Sequence, residues 1–563
     1  MKKLVPVMVL LFAALFVVSS LSFNLGDVNR DGSVNNKDVV RLFKLVSGGG
    51  ETDLTTCDIN NDGVVNNKDV VMLFKLVSGD NIEPELAKSF TVSHVFDDGM
   101  VIQRNEPIRI WGWAPESENG KSVSAEFSGM TAYAEINNGE WMIEFNKTLK
   151  ENTKGQTLTV SGDGVEYNYS DVLIGDVYWV VGQSNIAYSV QNIKNEPLAN
   201  SKGRNVSMSN DLLIRLNRSC YYEDAPGLTQ GTNDVNRDAV QKRGWEYPSE
   251  GALKFSAVGY FSAYQLYQKL GGTVPIGMIE FDGNGLALHA FLPNEVRDSL
   301  KISTYNNGIY SAAGVNPHAS SFMYNHYMYA FQNYPISGII WYQGESDCTT
   351  ANNNCLLYAD RFTAMIKYFR DKHDLINHDY PIYIVEFPPI YMNFDYAQVR
   401  MNMGMIPTKL SNVHICTSAD LWKNKTYENN LHPYNKWEIS DRMSDIMLAN
   451  TYGVGDINYV EGPVAVSCTF SKDGKTATVK FKNVGDGLKA SGGTLKGFGV
   501  ITNTVWTSPL SVTITGPDTV TVKSNAKMLW VGYNTARDMS FPETMTLCNS
   551  ASVPSSAWQF ANN

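Results

Sequence analysis

Three short stretches hold side chains that could work together on a carbonyl group. Ser184 lies in VYWVVGQSNIAYS (177–189), where an apolar run ends in a Gly-Gln pair. A serine hydroxyl becomes a useful nucleophile only when a base takes its proton. His432, in LHPYNKWEISDRM (431–443), is one of eight histidines in the chain and can be that base. IIWYQGESDC (339–348) repeats the plan of an apolar run entering a polar turn, with Gln343 and Glu345 in the turn. A Gln amide can donate to a developing oxyanion, and a Glu can orient a histidine or hold substrate. Taken singly, each stretch fits an ordinary turn or a structural histidine equally well.

The elements that must position these residues are legible around them. Apolar strand-like runs (VYWVVG, ISGIIWYQG, YPIYIVEF, NVHICTSAD) alternate with helix-like segments (FSAVGYFSAYQLYQKL, YADRFTAMIKYFRDK) over residues 172–452. That alternation predicts a parallel-sheet α/β domain. In such a sheet the residues after the carboxyl ends of the strands face the ligand crevice. Ser184 lacks the G-x-S-x-G elbow, because Ile186 stands where the second Gly belongs, which argues against an ordinary α/β-hydrolase, peptidase or lipase. No H-E-x-x-H occurs, so a zincin is excluded on its motif. Short alternating strands with Gly, Asn and Asp turns predict β-sandwiches over 91–171 and 456–563. Residues 81–90 are polar, contain Pro84 and read as a linker.

A second kind of chemistry sits near the start of the chain. GDVNRDGSVNNKDVVRLFKLVSG from Gly26 returns 31 residues later as CDINNDGVVNNKDVVMLFKLVSG from Cys57. Oxygen side chains fall at loop positions 1, 3, 5, 9 and 12: Asp27, Asn29, Asp31, Asn35 and Asp38, then Asp58, Asn60, Asp62, Asn66 and Asp69. Ser33 and Val64 hold position 7, where a backbone carbonyl serves, and Gly32 and Gly63 allow the sharp turn at position 6. Hard oxygens at this spacing suit two structural Ca²⁺ ions, not zinc. Position 12 is Asp in both copies, and an apolar helix follows each loop (39–46, 70–77) without a matching helix in front.

Lys2 and Lys3, an apolar run over 4–18 and small residues at Ser19, Ser20 and Ser22 form a secretory signal over 1–22. The apolar core is short for a membrane span of ~20 residues, so the mature chain is expected outside the cell with no membrane attachment. The chain of 563 residues has room for three or four domains of ~100–200 residues each. Hydrophobic residues at 43% allow large cores, and a net charge of -11 argues against a nucleic-acid partner. Seven cysteines are too few for a disulfide scaffold, although Cys348 and Cys355 flank TTANNN closely enough for a local bridge. Cys468 and Cys548 form a second possible pair, across the C-terminal sandwich.

The duplicated loops at 24–80 resemble a type I dockerin, the module that plugs enzymes into a cohesin-bearing scaffoldin. The resemblance implies a cohesin-facing surface on each helix: Asn36, Lys37, Arg41 and Lys44 in one copy, Asn67, Lys68, Met72 and Lys75 in the other. Near-identity of the copies implies two equivalent docking orientations. A free calcium sensor is the competing reading, and the short helices speak against it.

GQSN, WYQGES and LHP-x-NK, in this order, resemble the SGNH-type carbohydrate esterases of the sialate O-acetylesterase group. VFDDGMVIQRNEPIRIWGWA from Val95, VPIGMIEFDGNG from Val274 and LKASGGTLKGFGV from Leu488 extend the resemblance over 91–563. It implies a flavodoxin-like parallel sheet flanked by two β-sandwiches, with the helical, EF-hand-like dockerin in front. It also implies Ser184 as nucleophile, His432 as general base, and an oxyanion held by the Ser184 N–H, Gly283 and Asn284 or Gln343. No cofactor is implied for hydrolysis. Two departures stand out. Asn429 and Asn430 occupy the places where the family carries an acid before the His, and Asp282-Gly283-Asn284 stands in place of Trp-Gly-Gly. Glu428, Glu345 or Asp420 could supply the missing acid, with Glu345 favoured because its block already faces the crevice; a Ser–His dyad and a degenerate site remain open. The combination predicts a secreted, cellulosome-associated O-acetylesterase acting on acetylated xylan or another hemicellulose. A sialate O-acetylesterase and an inactive carbohydrate-binding scaffold component are the alternatives.

Overall fold

The structure, a computed structural model, describes residues 27–30, 34–48, 54–57, 59, 65–78, 89–219, 235, 237–238, 244–302, 319–348, 354–389, 396–421, 431–535 and 543–562. The chain divides into two compact units, Met1–Lys88 and Ser89–Asn563.

The first unit is built on two helices, α1 (Asn36–Gly48) and α2 (Asn67–Ser78). Each starts three residues before the apolar run that marks it in the sequence, because the position-12 carboxylate lies in its first turn. Asp38 is fully buried and accepts backbone N–H bonds from Asn29 and Asn35, both at 2.9 Å. Asp69 is equally buried and accepts from Asn66 at 2.8 Å. A carboxylate suits the positive end of a helix, and here it also ties the loop to it. Leu42 and Leu73 meet in a small core with Val28, Cys57 and Ile59. A single helical turn, Leu54–Cys57, precedes the second loop. Asp31, Ser33, Asp58, Asn60, Asp62 and Val64 lie outside the described residues, as do the signal segment and most of the linker.

The second unit is organised by one long strand, β1 (Val165–Gly182). Its first half pairs antiparallel with Asn152–Gly162 and alternates between partly and fully exposed residues. From Val172 onward every residue is buried, because the strand has entered a parallel sheet covered on both faces. Asp171, at φ 52°, sits in the ladder irregularity between the halves. The expected boundary at 171/172 is therefore a change of sheet environment within a single strand. A three-stranded sheet, Thr91–Val92, Arg109–Trp113 and Glu140–Glu144, completes the N-terminal β-region, which shares one core with the α/β region.

The parallel strands are β1, β2 (Ile214–Arg218), β3 (Ile276–Asp282), β4 (Gly338–Tyr342), β5 (Ile382–Glu386) and β6 (Val413–Thr417), in the spatial order β2-β3-β1-β4-β5-β6. With β2 set aside, the remaining five run 2-1-3-4-5 in chain order, the flavodoxin-like arrangement, whose reversal point is β1. A one-turn helix, α3 (Ser184–Ala187), follows β1, and longer helices α4 (Ala257–Lys269), α5 (Asn354–His373), α6 (Tyr396–Met405) and α7 (Lys436–Tyr452) cover the sheet. The described residues of 464–561 form two four-stranded sheets around Phe481, Val520, Tyr533 and Trp558, the two-sheet packing expected of a sandwich. Cys348, Cys355, Cys468 and Cys548 are thiols, so neither expected disulfide forms; Cys348 instead donates its S–H to the Gly344 carbonyl at 3.3 Å. No helix among the described residues is long and apolar enough to cross a membrane.

Candidate active site

Three strands end level with one another. Gly182 is in register with Asp282 of β3 on one side and Tyr342 of β4 on the other. The turns that follow hold Gln183-Ser184, Gly283-Asn284 and Gln343-Gly344-Glu345. The sequence-predicted residues from three separate stretches thus meet at the carboxyl edge, at the reversal point of the sheet, where α/β sheets place ligands. Gly182 is required there, since a Cβ would lie 2.1 Å from the Tyr342 carbonyl oxygen.

Gln183 clamps two of the turns. It is buried, and its Oε1 accepts from Ser346 N at 3.1 Å and from Gln343 Nε2 at 3.3 Å. Ser184 is half-buried and opens α3. Ile186 and Ala187 donate back to the Gln183 carbonyl, whereas the Ser184 N–H is at the helix start, where no intrahelical acceptor exists.

Asn185 joins the remaining pieces. Its Nδ2 donates to Glu345 Oε1 at 2.5 Å and to the Leu431 carbonyl at 3.0 Å. Its Oδ1 accepts from Lys436 Nζ, the first residue of α7. The neighbour of Ser184 is therefore bonded to the neighbour of His432. Tyr188, one turn beyond Ser184, stacks on the His432 ring with centroids 6.1 Å apart and planes 23° from parallel. Burial, and after it the Lys436 charge, push the imidazole below its ordinary value of 6.5.

Glu345 is buried, and loss of solvent pushes its carboxyl up to about 7 against the opposing pull of Asn185 and Lys436. Its Oε1 is taken by Asn185, and its Oε2 makes no hydrogen bond among the described residues. Among the described residues Glu345 is tied to the turn that carries His432 through Asn185 and the Leu431 carbonyl. Asp420, the other described candidate, forms a two-pronged pair with Arg442, both contacts at 2.8 Å. Glu428, Asn429 and Asn430 lie outside the described residues.

Gln343 is wholly buried and its amide is engaged at both ends. Nε2 donates to Leu286 O at 3.0 Å and Asp347 Oδ2 at 2.6 Å, and Oε1 accepts from Tyr358 OH at 3.1 Å. That geometry makes it a brace between turns; in the second block Gly283 is buried and Asn284 is exposed.

Lys436 was not singled out as chemical in the sequence, although it closes the LHP-x-NK motif. It is fully buried, and desolvation brings its ammonium down to about 7 despite Glu345. Its Nζ lies 4.7 Å from the Tyr342 ring centroid and 5.6 Å from that of Tyr188, within cation–π range. A lysine opening an otherwise amphipathic helix looks like a solvated residue until the sheet is assembled around it.

The parallel sheet and the turns at its carboxyl edge fall within a stretch that matches a known family. Residues 174–448 match the family model described as carbohydrate esterase, sialic acid-specific acetylesterase, and residues 25–78 match the type I dockerin domain. The chain thus carries a type I dockerin at its N-terminal side and a sialate O-acetylesterase-like carbohydrate esterase domain. It is similar to the sialate O-acetylesterase of Pongo abelii, at 24% identity over 318 residues, covering 52% of this chain and 56% of that one. The Homo sapiens sialate O-acetylesterase gives 23% identity over 318 residues with the same shares. The chain therefore spans little more than half the length of these curated relatives. A solved structure of a carbohydrate acetylesterase from Xanthomonas citri superposes with a TM-score of 0.66 at 23% identity, covering 84% of this chain and all of that one, and shows a shared fold.

Proposed function

We propose that this chain is a secreted, SGNH-type carbohydrate O-acetylesterase that removes acetyl groups from a plant cell-wall polysaccharide, acetylated xylan or another hemicellulose, while docked to a scaffoldin. The observation that carries the reading is the Asn185 bridge, which binds the turn of Ser184 to the turn of His432 at the reversal point of a parallel sheet.

In this reading His432 takes the Ser184 proton as Oγ attacks the acetyl carbon. The oxyanion forms against the Ser184 N–H and donors from Gly283 and Asn284. The intermediate collapses, His432 returns the proton to the sugar oxygen, and the sugar alcohol leaves. Water, deprotonated by the same histidine, attacks the acyl-serine and releases acetate. Glu345 and Gln343 hold the turns in place. No added cofactor takes part in this sequence.

The dockerin supplies attachment. Type I dockerin domains bind calcium, and the residues present fit that ion: Asp27 and Asp38 are buried, and Asn29 N bonds the Asp38 carboxylate. Asp27, Asn29, Asp31, Ser33 and Asp38 would hold one Ca²⁺, and Asp58, Asn60, Asp62, Val64 and Asp69 the other. Asn36, Lys37, Arg41 and Lys44 are exposed on α1, as the cohesin-facing role requires. Beside them Val40, Phe43, Val71 and Phe74 remain more than half exposed, an apolar patch of the kind that marks protein contact.

The test is acetate release from acetylated xylan by the parent and by Ser184→Ala. Release by the parent alone supports the reading. Release from O-acetylated sialic acid but not from xylan moves the substrate to the sialate alternative. No release from either, or from a small aryl acetate, moves the chain to an inactive carbohydrate-binding component.

A further inference from the structure

The small three-stranded sheet has an unusual outer face. Its register places Trp111 opposite Met142 and Trp113 opposite Glu140, while Gly112 and Trp141 point the other way. The inner face is ordinary core, with Trp141 stacked on Phe90 at 5.3 Å and 17°. The outer face carries the half-buried Trp113 and Met142, which is 41% exposed, beside Arg109, Glu140 and Glu144, while its second indole, Trp111, is buried against Phe96. Residues 329–333, from the α/β region, form the facing wall. Between them lies an open cavity of about 410 Å³, inside the ~300–1,000 Å³ range of small-molecule sites.

The polar groups around this apolar floor are amides and an ion pair. The side chains of Asn137 and Asn333 line the cavity and make no hydrogen bond among the described residues. Arg237 pairs with Glu140 across the rim. An aromatic floor with amides at its edge matches a pyranose ring, whose C–H face is apolar and whose equatorial hydroxyls fan outward. Glu135 and Glu140 outnumber the one arginine, so the cavity disfavours a carboxylate-bearing sugar.

We infer that this cavity is a second, non-catalytic site for a neutral glycan chain. The inference rests on the carbohydrate-esterase reading above and adds a binding site to it. The site lies away from the acetyl chemistry: residues 329–333 lead into the amino end of β4, whereas Ser184, Gly283 and Glu345 follow the carboxyl ends of their strands. It can hold unacetylated stretches of a polymer while the crevice works elsewhere.

The experiment is calorimetric titration of the full chain with xylohexaose, cellohexaose and sialyllactose, repeated with Trp113→Ala and Asn137→Ala. The expected result is binding of a neutral hexaose, weakened ~10-fold or more by Trp113→Ala and more mildly by Asn137→Ala, with little binding of sialyllactose. Hydrolysis of a small aryl acetate should be unchanged in both variants, which also reports that they fold. The inference is overturned if the parent binds neither neutral hexaose, if both variants bind as the parent does, or if sialyllactose binds more tightly. Should Trp113→Ala fail to fold, the exposed Asn137 variant decides alone. Loss of aryl acetate hydrolysis in the parent would count against the esterase reading and leave the binding result to be judged separately.

Discussion

Lys436 donates to the amide oxygen of Asn185, and neither side chain reaches water. The same amide gives one N–H to Glu345 and the other to the Leu431 carbonyl. One asparagine thus joins a buried cation, a buried carboxyl and the chain segment that presents His432. Partly satisfied buried networks cost more than apolar replacements, so the strictness of this arrangement argues for positioning, not for stability alone.

Asn185→Ala should therefore be severe. It removes the acceptor of a buried ammonium and the donor to a buried carboxyl, a loss of ~3–5 kcal/mol by analogy with broken buried pairs. A thermal melt should show the esterase transition several degrees lower, with acetate release abolished. A melting point equal to the parent's would refute the bridge.

Lys436→Met separates positioning from folding. The side-chain length is kept, but Asn185 and Glu345 lose their buried partner, so the variant should melt lower, and kinetics are read at a temperature where it is folded. The rate should fall ~100-fold as the Asn185 and His432 turns loosen. The pH profile carries the sharper signature. In the proposed mechanism His432 must be neutral to act as base, and burial with the Lys436 charge holds its proton affinity below 6.5, so the acid limb of kcat/KM should lie below pH 6.5. Removing the Lys436 charge relieves part of that pressure, and the limb should move to higher pH. Lys436 also has a stability signature. Its folded-state value of about 7 lies below the ordinary 10.5, so the unfolded chain binds the extra proton between those values and stability rises with pH across that window. Denaturant melts of the Met variant should lose that slope.

Much of this was legible in the sequence, and the reason is local. Ser184, Gln343 and Glu345 each follow an apolar run long enough to be a strand, and strand ends in a parallel sheet share an edge. The switch from alternating to continuous burial at Val172 also shows in the residues, since it follows from one covered face becoming two. That β1 runs unbroken through the change is not local, because a bend at Asp171 and a domain boundary leave the same trace. The partner of Glu345 was hidden for a related reason. Asn185, Leu431 and Lys436 are far apart in sequence from Glu345, and only the packing of α7 over β1 and β4 brings them to it.

Gly182→Ala tests the level ending of the three strands. The added carbon would lie 2.1 Å from the Tyr342 carbonyl and 2.7 Å from Ile186 Cγ1. Backbone must move, and β1 and β4 separate where Ser184 and Gln343 begin. Overpacking of this kind costs ~1–3 kcal/mol or more, and soluble protein should show a lowered melting point with kcat reduced further than KM is raised. Parent-like kinetics would mean that the strand ends tolerate separation.

Arg400 and Glu386 test how the C-terminal sandwich is held. They form an almost fully buried pair at 2.8 Å, and the second oxygen of Glu386 accepts from Ala557 N at 3.1 Å. Burial and the paired charge oppose each other at both groups, so removing one partner strands the other. Arg400→Leu should destabilise the second unit by ~3–5 kcal/mol. Limited proteolysis should then cut within residues 456–563 at a temperature where the parent resists.

Calcium removal should act on attachment and leave the chemistry untouched. The loops and the esterase region belong to separate compact units, and the ion's proposed ligands all lie in the first. Without the cation, Asp38 and Asp69 remain buried at the helix starts with fewer compensating contacts, and the loops that set the angle of α1 and α2 lose their centre. A chelator should therefore abolish retention on an immobilised cohesin, and added Ca²⁺ should restore it, while acetate release in solution stays constant throughout. Asp38→Ala combined with Asp69→Ala should reproduce the chelated state in the presence of calcium. A single substitution should not, since under the proposed attachment each near-identical copy offers a docking orientation of its own and one copy stays intact.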